Sequence, residues 1–400
     1  MPRPTATLIV LLLTTPALAQ VTDPEFAACI ADLKTQARAE GIGEPVVNQV
    51  LDQVRKVERV IELDRQQPEF TRTFADYYGR RVTEDRVRQG RALLAEHRDL
   101  LLKVQDTYGV PAQYLLAFWG LETNFGSYVG SMPVPDSLAT LACDERRSGF
   151  FTAELMAALR IIEKGNIQHA DMLGSWAGAM GNFQFLPSVY LRHAIDADGD
   201  GRRDLWNSLP DAVTSAGRFL ADLGWERGYR WGREAKLPDD FDYALTGRQQ
   251  RRPLADWVTM GVTDAHGRAL APLDVPTAVI VPSGGEGPAF LTYPNFDIIM
   301  RWNRSELYAL AVGRLADRIA GAGELTRAPA DAELKLTFED VRALQTSLNL
   351  LGYLDDEPDG LFGPNTRRAL SAFQKERDLR ADGFPSEEAL RAVRSASESL

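Results

Sequence analysis

The spacing of apolar positions predicts a chain built mostly of helices. Apolar residues recur at helical intervals over 26–38 and again over 86–108, so each segment is expected to bury one face. Beyond about residue 235 this pattern gives way to the apolar run 275–281 and the glycine-rich segment 283–285, which indicate short strands and turns. A helical pattern returns over 307–319.

A separate pattern occupies the C-terminal end, after a stretch 321–334 whose Gly, Ala, Pro and charged residues are typical of a linker. Thr337, with the acidic Asp340 three residues on, signals a helix start, and the apolar residues that follow fall on one face. Two further helices are predicted over 366–374 and from Ser386 onward. The expected units are a large domain over 20–322, a linker over 323–335 and a small three-helix module over 336–400.

The first residues have the three parts of a secretory signal peptide, predicted over 1–19. Arg3 precedes the apolar run 8–13, and Ala17-Leu18-Ala19 supplies an A-x-A cleavage site. The run is too short to anchor the chain in a bilayer, and a buried core helix is the alternative interpretation. Cys29 lies too far beyond the cleavage site to be a lipoprotein cysteine. We therefore expect a soluble, unlipidated protein of the periplasm without a transmembrane anchor.

Charge and cysteine content narrow the partners and the redox chemistry. The formal net charge is -11 over 400 residues, and no basic block is interleaved with aromatic residues, so nucleic acid is not an expected partner. Cys29 and Cys143 are the two cysteines, and in an exported chain they can form one disulfide. Two buried free thiols are the alternative.

One carboxylate stands out because it falls on an apolar helix face. The segment 111–122 predicts a helix in which Leu115, Phe118 and Glu122 share one side, and Asn124 follows as a helix-stopping residue. Apolar surroundings and the negative end of the helix dipole both disfavour ionisation and so raise a carboxyl pKa. A carboxylic acid that stays protonated near neutral pH is suited to general acid catalysis. On pattern alone, a solvated glutamate at a helix end is the commoner case.

Three motifs in the chain resemble those of the B-type lytic murein transglycosylases. The segment 120–126 (GLETNFG) is similar to the active-site motif of that family, 175–188 (SWAGAMGNFQFLPS) to its second signature, and 295–309 to its late motif. The order and spacing agree, and the likeness runs from about residue 26 to about residue 319. The resemblance implies a mainly α protein with a lysozyme-like α+β catalytic domain that carries extra helical and small β segments.

The resemblance also implies a mechanism with Glu122 as the single catalytic carboxylate. Ordinary glycosidases use two carboxyl groups. Here Glu122 is expected to protonate the oxygen between N-acetylmuramic acid and N-acetylglucosamine, and then to remove the proton from the muramic 6-hydroxyl. The products are 1,6-anhydromuramoyl ends, without a cofactor. A hydrolytic muramidase with Asp136 or Asp144 as second carboxylate, and a non-catalytic wall-binding scaffold, are the alternatives.

Substrate contacts follow from the same resemblance, position by position. The residues it implies are Ser175, Gln184, Tyr77, Arg146, Arg147 and Asn303. For Arg146 and Arg147 a solvated surface pair is the alternative. The chain departs from the family at Phe219 and Asp297, where other members can carry tyrosine, so we expect no sugar contact from these two.

The segment 196–204 (DADGDGRRD) reproduces the first nine positions of an EF-hand loop, a pattern of alternate carboxylates and a turn glycine that suits calcium. Position twelve is Asn207 instead of glutamate, and the resemblance suggests Asp211 as the closing ligand. The expected ligands of a structural calcium ion are Asp196, Asp198, Asp200, Arg202 and Asp211. An Asp/Gly-rich surface turn without metal is the alternative.

The C-terminal module resembles the peptidoglycan-binding domain of wall hydrolases. The similarity rests on motifs such as Leu351-Gly352-Tyr353, 359–363 (DGLFG), Phe373-Gln374 and Asp382-Gly383. It implies attachment to the cell wall without chemistry. The expected partners are peptidoglycan glycan strands and other cell-wall enzymes, and the chain itself is expected to be a monomer.

Overall fold

The computed structural model describes residues 23–66, 72–329 and 334–400. The predicted signal peptide, 1–19, lies outside these residues. The helices are α1 (Pro24–Ala39), α2 (Glu44–Leu51), α3 (Glu58–Gln66), α4 (Phe74–Arg81), α5 (Glu84–Glu96), α6 (Arg98–Tyr108), α7 (Ala112–Thr123), α8 (Val134–Ala142), α9 (Ser148–Glu163), α10 (Pro187–His193), α11 (Leu209–Asp222), α12 (Leu254–Thr259), α13 (Pro294–Trp302), α14 (Glu306–Ile319), α15 (Phe338–Leu350), α16 (Pro364–Glu376) and α17 (Glu387–Ser397). Among the described residues no helix is both long and apolar enough to cross a membrane.

Two small sheets accompany the helices, which confirms the mainly α class. The strands are β1 (Met132–Pro133), β2 (Leu173–Gly174), β3 (Gly232–Lys236), β4 (Arg252–Pro253), β5 (Thr263–Asp264), β6 (Pro276–Ile280) and β7 (Ala289–Thr292). β1 and β2 pair with each other, and the other five form an antiparallel sheet in the order β4-β6-β7-β3-β5. One face of this sheet covers a core of its own around Trp257, Val279 and Leu291.

Helix α7 lies at the centre of the main core. Nearly all of its side chains are buried, Leu115, Ala117 and Phe118 completely, and it packs against α5, α6, α11 and α14. A helix apolar on all sides is the kind that a large core surrounds. Pro111 lies just before the first turn, where its missing N–H costs no hydrogen bond.

The helical spacing over 86–108 covers two helices, because the chain forms α5 and α6 with a break at His97. Its backbone leaves the helical region (φ -103°, ψ 25°), and it ends one helix and begins the next. Apolar spacing continues across the break because both helices bury a face in the same core. The pattern therefore locates the buried face and misses the bend.

Cys29 and Cys143 form a disulfide with an S–S distance of 1.98 Å. The bond joins α1 to the residue that ends α8 and closes a loop of sequence separation 114 that contains the whole of α7. The N-terminal helices are thereby tied to the helices around the core.

Helices α15, α16 and α17 form the predicted C-terminal module around Leu348, Leu370 and Phe373. Its first helix begins with the expected capping box: Asp340 N–H donates to the Thr337 hydroxyl, and Thr337 N–H donates to the Asp340 carboxylate. This local sequence signal was sufficient to fix the helix start.

The module packs on the main domain through a contact that we call the docking contact. Gly285 N–H donates to Asp382 Oδ2 at 2.9 Å, and Arg380 forms an ion pair with Glu286 while its guanidinium lies 5.6 Å from the Tyr243 ring. The residues that define the docking contact are Gly284, Gly285, Glu286 and Tyr243 on the domain, with Arg380, Asp382 and Phe384 on the module.

The first part of the predicted linker lies against the main domain. The Glu234 carboxylate accepts the N–H groups of Thr326 and Arg327, both at 2.9 Å, and Arg314 donates to Gly323 O at 3.0 Å. Leu325 packs against the core. A stretch with flexible composition is thus held by tertiary contacts as far as residue 327.

Candidate active site

Glu122 lies in the last turn of α7, where the chain makes an abrupt reversal. Asn124, Phe125 and Gly126 follow with positive φ angles of 49°, 58° and 79°. Asparagine and glycine tolerate this region, whereas phenylalanine rarely adopts it. Phe125 is nonetheless 7% exposed and packs edge-on against Trp119. Tertiary packing therefore holds the reversal that places the partly buried Glu122 at the end of its helix.

Two hydrogen bonds position the carboxyl group of Glu122. Trp302 Nε1–H donates to Oε1 at 2.9 Å, and the Tyr308 hydroxyl donates to the same oxygen at 2.5 Å. Burial and the adjacent Glu122 raise the pKa of Tyr308 well above its usual value, so this hydroxyl retains its proton and remains a donor. Both residues lie in the late motif, which gave their position in the sequence without indicating this contact.

Aromatic rings fix the indole of Trp302. Its ring centroid lies 4.6 Å from that of Phe118, 5.0 Å from Phe219 and 5.6 Å from Phe185. A ring packed on several sides has little rotational freedom, so its N–H is preorganised toward Glu122. Phe219 thus belongs to the packing around Trp302.

Asn182 joins the second signature to the end of α7, a role that the sequence did not indicate. Its Oδ1 accepts from Trp119 Nε1 at 2.8 Å, and its backbone carbonyl accepts from the Thr123 hydroxyl at 2.8 Å. Its amide nitrogen donates to the carbonyls of Leu205 and Trp206 at 3.1 and 2.9 Å. Asn182 is 6% exposed, so these bonds satisfy a buried amide and fix the signature beside Glu122.

Gln184 and Ser175 lie in that same signature, half-buried. Gln184 has φ 49°, and its Nε2 donates to Val129 O at 2.9 Å and Gly181 O at 3.1 Å. Ser175 Oγ accepts the N–H of Ala179 at 3.1 Å. The structure therefore places Gln184 against the loop that follows Glu122, and the sugar contacts of both residues stay predictions.

Tyr77 lies in α4 and is 5% exposed, with the Arg81 guanidinium 5.5 Å from its ring centroid. It is close enough to Tyr308 to contribute to the raised pKa of that hydroxyl. Little of the ring is accessible, so its position favours packing beside Tyr308, and stacking on a sugar stays a prediction.

Arg146 and Arg147 share one buried carboxylate. Arg146 Nη1 lies 2.7 Å from Asp64 Oδ2, Arg147 pairs with Oδ1 of the same residue, and Asp64 is 3% exposed. Desolvation lowers the pKa of Arg147. The pair is thus anchored and not simply solvated, although the Arg146 side chain is still 47% exposed. Contact with substrate stays a prediction.

Asn303 follows Trp302, and its Oδ1 accepts the N–H of Ser305 at 3.0 Å near the start of α14. It therefore orders the turn between the two helices that carry the partners of Glu122. Asp297, the other departure from the family, forms ion pairs with Arg248 and Arg251. That pairing gives it a structural role.

The two aspartates weighed as a second carboxylate have partners of their own. Burial raises the pKa of Asp136, which accepts the backbone N–H of Arg55. Asp144 pairs with Arg65 at 3.2 Å and accepts the N–H of Arg146 at 3.1 Å.

The acidic loop brings three carboxylates together. Oxygens of Asp196, Asp198 and Asp211 all lie within 4.8 Å of one another. Asp211 is fully buried and accepts N–H groups from Ala197 at 2.7 Å and Asp204 at 2.8 Å, and burial raises its pKa.

Asp200, another expected calcium ligand, lies outside this group of carboxylates, and coordination at Arg202 stays a prediction. The Asp200 carboxylate accepts the N–H of Arg202 at 2.8 Å and lies 3.6 Å from its guanidinium. Asn207, at position twelve, donates to Asp204. Asp211, and not Asn207, is thus the residue from beyond the loop whose carboxylate lies beside those of Asp196 and Asp198.

Comparisons with known proteins agree on one family. A profile described as Transglycosylase SLT domain matches residues 25–317, and one described as peptidoglycan binding domain matches 338–393. Membrane-bound lytic murein transglycosylase B of Escherichia coli (strain K12) is 29% identical over 303 residues, which cover 70% of this chain and 79% of that protein.

Solved structures give the same result. SltB3 from Pseudomonas aeruginosa in complex with NAG-NAM-pentapeptide is 40% identical, with a TM-score of 0.89, over 92% of this chain and 99% of that chain. The Escherichia coli lytic transglycosylase Slt35 in complex with calcium is 26% identical, with a TM-score of 0.63, over 75% of this chain and 93% of that chain. The similarity to SltB3 includes the C-terminal module.

Proposed function

This chain belongs to the transglycosylases with an SLT domain and is a peptidoglycan lytic transglycosylase, and from that premise we propose that Glu122 alone performs its acid and base chemistry. The observation that carries this proposal is the pair of donors, Trp302 and Tyr308, fixed on one oxygen of a carboxyl group at the end of a buried helix. A catalytic acid must be held in this way if it is to reach a glycosidic oxygen reproducibly.

In the first step Glu122 donates its proton to the oxygen between N-acetylmuramic acid and N-acetylglucosamine. The C1–O bond breaks, and N-acetylglucosamine leaves with the transferred proton. The muramic acetamido group stabilises the positive charge that develops on C1, a task that a second carboxylate performs in other glycosidases. Glu122 is left ionised, with Trp302 and Tyr308 as hydrogen-bond donors to the charge.

In the second step the ionised Glu122 removes the proton from the muramic 6-hydroxyl. The oxygen O6 then forms a bond to C1 and closes the 1,6-anhydro ring. Glu122 recovers its proton, so one group serves as acid and base in turn and no water is consumed. Gln184 and Ser175 contribute as sugar-binding residues near this carboxyl group.

Product analysis on purified sacculi tests this mechanism. Wild-type protein is expected to release muropeptides that are lighter by one water than their hydrolysed counterparts, and Glu122→Gln to release none above background. Glu96→Gln, a change at a surface glutamate of α5, is the matched control and should retain full activity. Persistent release of anhydro products by Glu122→Gln would remove Glu122 from its role.

The same product analysis distinguishes a lytic transglycosylase from a hydrolytic muramidase. Products with reducing ends would require a base that activates water, and Asp136 and Asp144 are the sequence candidates. Their bonds to Arg55 and to Arg65 and Arg146 give each a structural task, which favours the single-carboxylate mechanism. Loss of activity in Asp136→Asn with correct folding would reverse this preference.

We propose further that the acidic loop binds a structural calcium ion through Asp196, Asp198 and Asp211. Three carboxylates within 4.8 Å fit a hard cation that prefers oxygen ligands, and Slt35 has been solved in complex with calcium. The ion would supply positive charge among like charges and take no part in the reaction. Asp200, paired with Arg202, is omitted from this set.

Thermal unfolding of metal-stripped protein tests the calcium site. Added calcium should raise the midpoint temperature of wild-type protein by mass action. Asp198→Asn should abolish this response, whereas Asp240→Asn, at an exposed position outside the loop, should not. An unchanged midpoint for wild-type protein over millimolar calcium would exclude the site.

We propose the periplasm as the place of action, with cleavage after Ala19, and a monomer that uses its C-terminal module to hold the wall. The support is the signal-peptide pattern together with the match to a peptidoglycan binding domain. N-terminal sequencing of the mature protein should begin at Gln20. A mature chain that begins at Met1 would refute this part.

A further inference from the structure

The loop that follows Glu122 is fixed at three points, each on a segment of the candidate site. Tyr128 N–H donates to Thr123 O, the residue next to Glu122, at 3.1 Å. Val129 O accepts from Gln184 Nε2 at 2.9 Å. Gly130 packs so closely on Gly174, the neighbour of Ser175, that a Cβ there would lie 2.1 Å from Gly174 O. The backbone of 128–130 is therefore a rigid connection between these segments.

The side chain of Tyr128 contrasts with this fixed backbone because it is 67% exposed. Among the aromatic side chains that the structure describes, the next most exposed is Phe150 at 48%. The rings around Glu122, in contrast, are packed: Trp302 lies against Phe118 and Phe219. A single exposed apolar side chain is ordinary on a protein surface. An exposed ring on a backbone anchored to the catalytic segments is a different situation, because it can bind without ordering a loop.

We propose that Tyr128 is a substrate-binding residue whose ring stacks on a pyranose ring of the glycan next to the bond that is cleaved. The inference rests on the proposed function, since it takes the peptidoglycan glycan as substrate. The C–H bonds on one face of a pyranose form an apolar surface that packs on an aromatic ring, and the phenol hydroxyl can exchange hydrogen bonds with sugar hydroxyls. Tyrosine offers this contact at a low conformational cost, because few bonds become immobilised.

Stacking next to the cleavage point affects binding more than the chemical step. The ring contacts the sugar in the bound substrate and in the transition state alike, and such uniform binding lowers KM without raising kcat. Loss of the ring should therefore raise KM and leave kcat nearly unchanged. This separates Tyr128 from Glu122, whose loss abolishes kcat.

Steady-state kinetics on soluble, peptide-free glycan strands test the proposal. Tyr128→Ala should raise KM about tenfold with kcat within about twofold, because a lost aromatic contact weakens binding by about that factor. Tyr128→Phe and Tyr128→Trp keep a ring and should stay within about threefold of the wild-type KM. Tyr229→Ala, at a tyrosine that is 40% exposed elsewhere on the domain, is the control and should leave KM unchanged.

Equilibrium binding separates this proposal from the proposed function. In a Glu122→Gln background, glycan strands should bind about tenfold more weakly when Tyr128 is also alanine. An inactive Glu122→Gln together with a folded Tyr128→Ala of wild-type KM and affinity would overturn the role of Tyr128 alone. An active Glu122→Gln would instead overturn the proposed function.

A fluorescence measurement covers the case in which Tyr128→Ala fails to fold. In the Glu122→Gln background, Tyr128→Trp adds an indole at the position where the ring is proposed to stack on the sugar. The emission that this indole adds should shift or quench when glycan strands bind. Binding without any change in the added emission would show that the ring does not contact the sugar.

Discussion

The carboxyl group of Glu122 depends on donors that come from far along the chain. Trp302 and Tyr308 donate to Oε1 across sequence separations of 180 and 186 residues. Tyr308 is 4% exposed, and its raised pKa keeps the phenol protonated near neutral pH. In the proposed mechanism this hydrogen-bond donor is consequently constant, while the carboxyl group of Glu122 alternates between its protonated and ionised forms.

Tyr308→Phe should lower kcat about tenfold or more, since a hydrogen bond to a charged group contributes about 1.5–3 kcal/mol. Phenylalanine fills the same space, so the free energy of unfolding should change little beyond the lost hydrogen bond. The measurement is the rate on soluble glycan strands at saturating substrate.

The matched control is Tyr353→Phe, which removes another tyrosine–carboxylate hydrogen bond, that to Glu376 in the C-terminal module. Its rate on soluble strands should equal that of wild-type protein. A wild-type rate for Tyr308→Phe would show that this hydroxyl does not position Glu122.

The candidate site shows which of its features can be predicted from neighbouring residues in the sequence. The motif around Glu122 located the carboxylate and the end of its helix, because both depend on neighbours within a few residues. The motifs contain Asn182 and Tyr308 but do not indicate their roles, because their hydrogen bonds to α7 exist only after folding. Gln184 and Ser175 bond to the backbone of the site, contacts that the sequence does not indicate, and their sugar contacts stay predictions.

Helices α1 and α8 are joined by the Cys29–Cys143 disulfide, whose loop contains helix α7, which carries Glu122. A cross-link that closes a long loop reduces the entropy of the unfolded chain. The bond therefore acts on the stability of the helices around Glu122 more than on their geometry.

Replacing both cysteines by alanine should lower the free energy of unfolding by about 2–4 kcal/mol. The measurement is the urea midpoint of unfolding, with activity at low urea expected to be retained. Reductant should shift the wild-type midpoint by a similar amount and leave the double variant unaffected. Equal midpoints for the two proteins without reductant would contradict a stabilising role.

Helices were easier to predict from sequence than their breaks. The patterns over 26–38 and 307–319 fall within α1 and α14, because one face of each helix is buried against the same core. The break at His97 left no mark on the apolar spacing. In the module, the capping box fixed the start of α15 because its partners lie three residues apart.

The C-terminal module packs on the main domain at the docking contact. At the docking contact a Cβ on Gly285 would lie 2.5 Å from Arg380 Cδ and 2.8 Å from Tyr243 Cζ, so only glycine permits this approach. Glu286 pairs with Arg380 of the module and lies 3.6 Å from Arg327 of the preceding segment. The sequence suggested a turn at 283–285 but not its partner, which is nearly a hundred residues away.

Gly285→Val should displace the module and leave each domain folded. Sacculus digestion should fall severalfold while the rate on soluble strands stays near wild type, because Glu122 is not involved. Small-angle scattering should report a larger radius of gyration.

The control is Gly323→Val outside the module, because Gly323 is exposed, its φ is not positive and a Cβ there meets no atom within 4 Å. It should match wild-type protein in both assays. An unchanged radius of gyration for Gly285→Val would mean that the contact yields without releasing the module.

A wall-binding module on a loose tether would raise the effective concentration of glycan near the cleft, with a strength set by tether length. The docking contact removes this dependence on tether length. It, and not the linker, sets the distance between the region around Glu122 and the C-terminal module. Inserting extra residues near 330 should then leave the spacing of cuts along a strand unaltered. The distance between the cleavage site and the wall-binding module would then be constant, whatever the length of the linker.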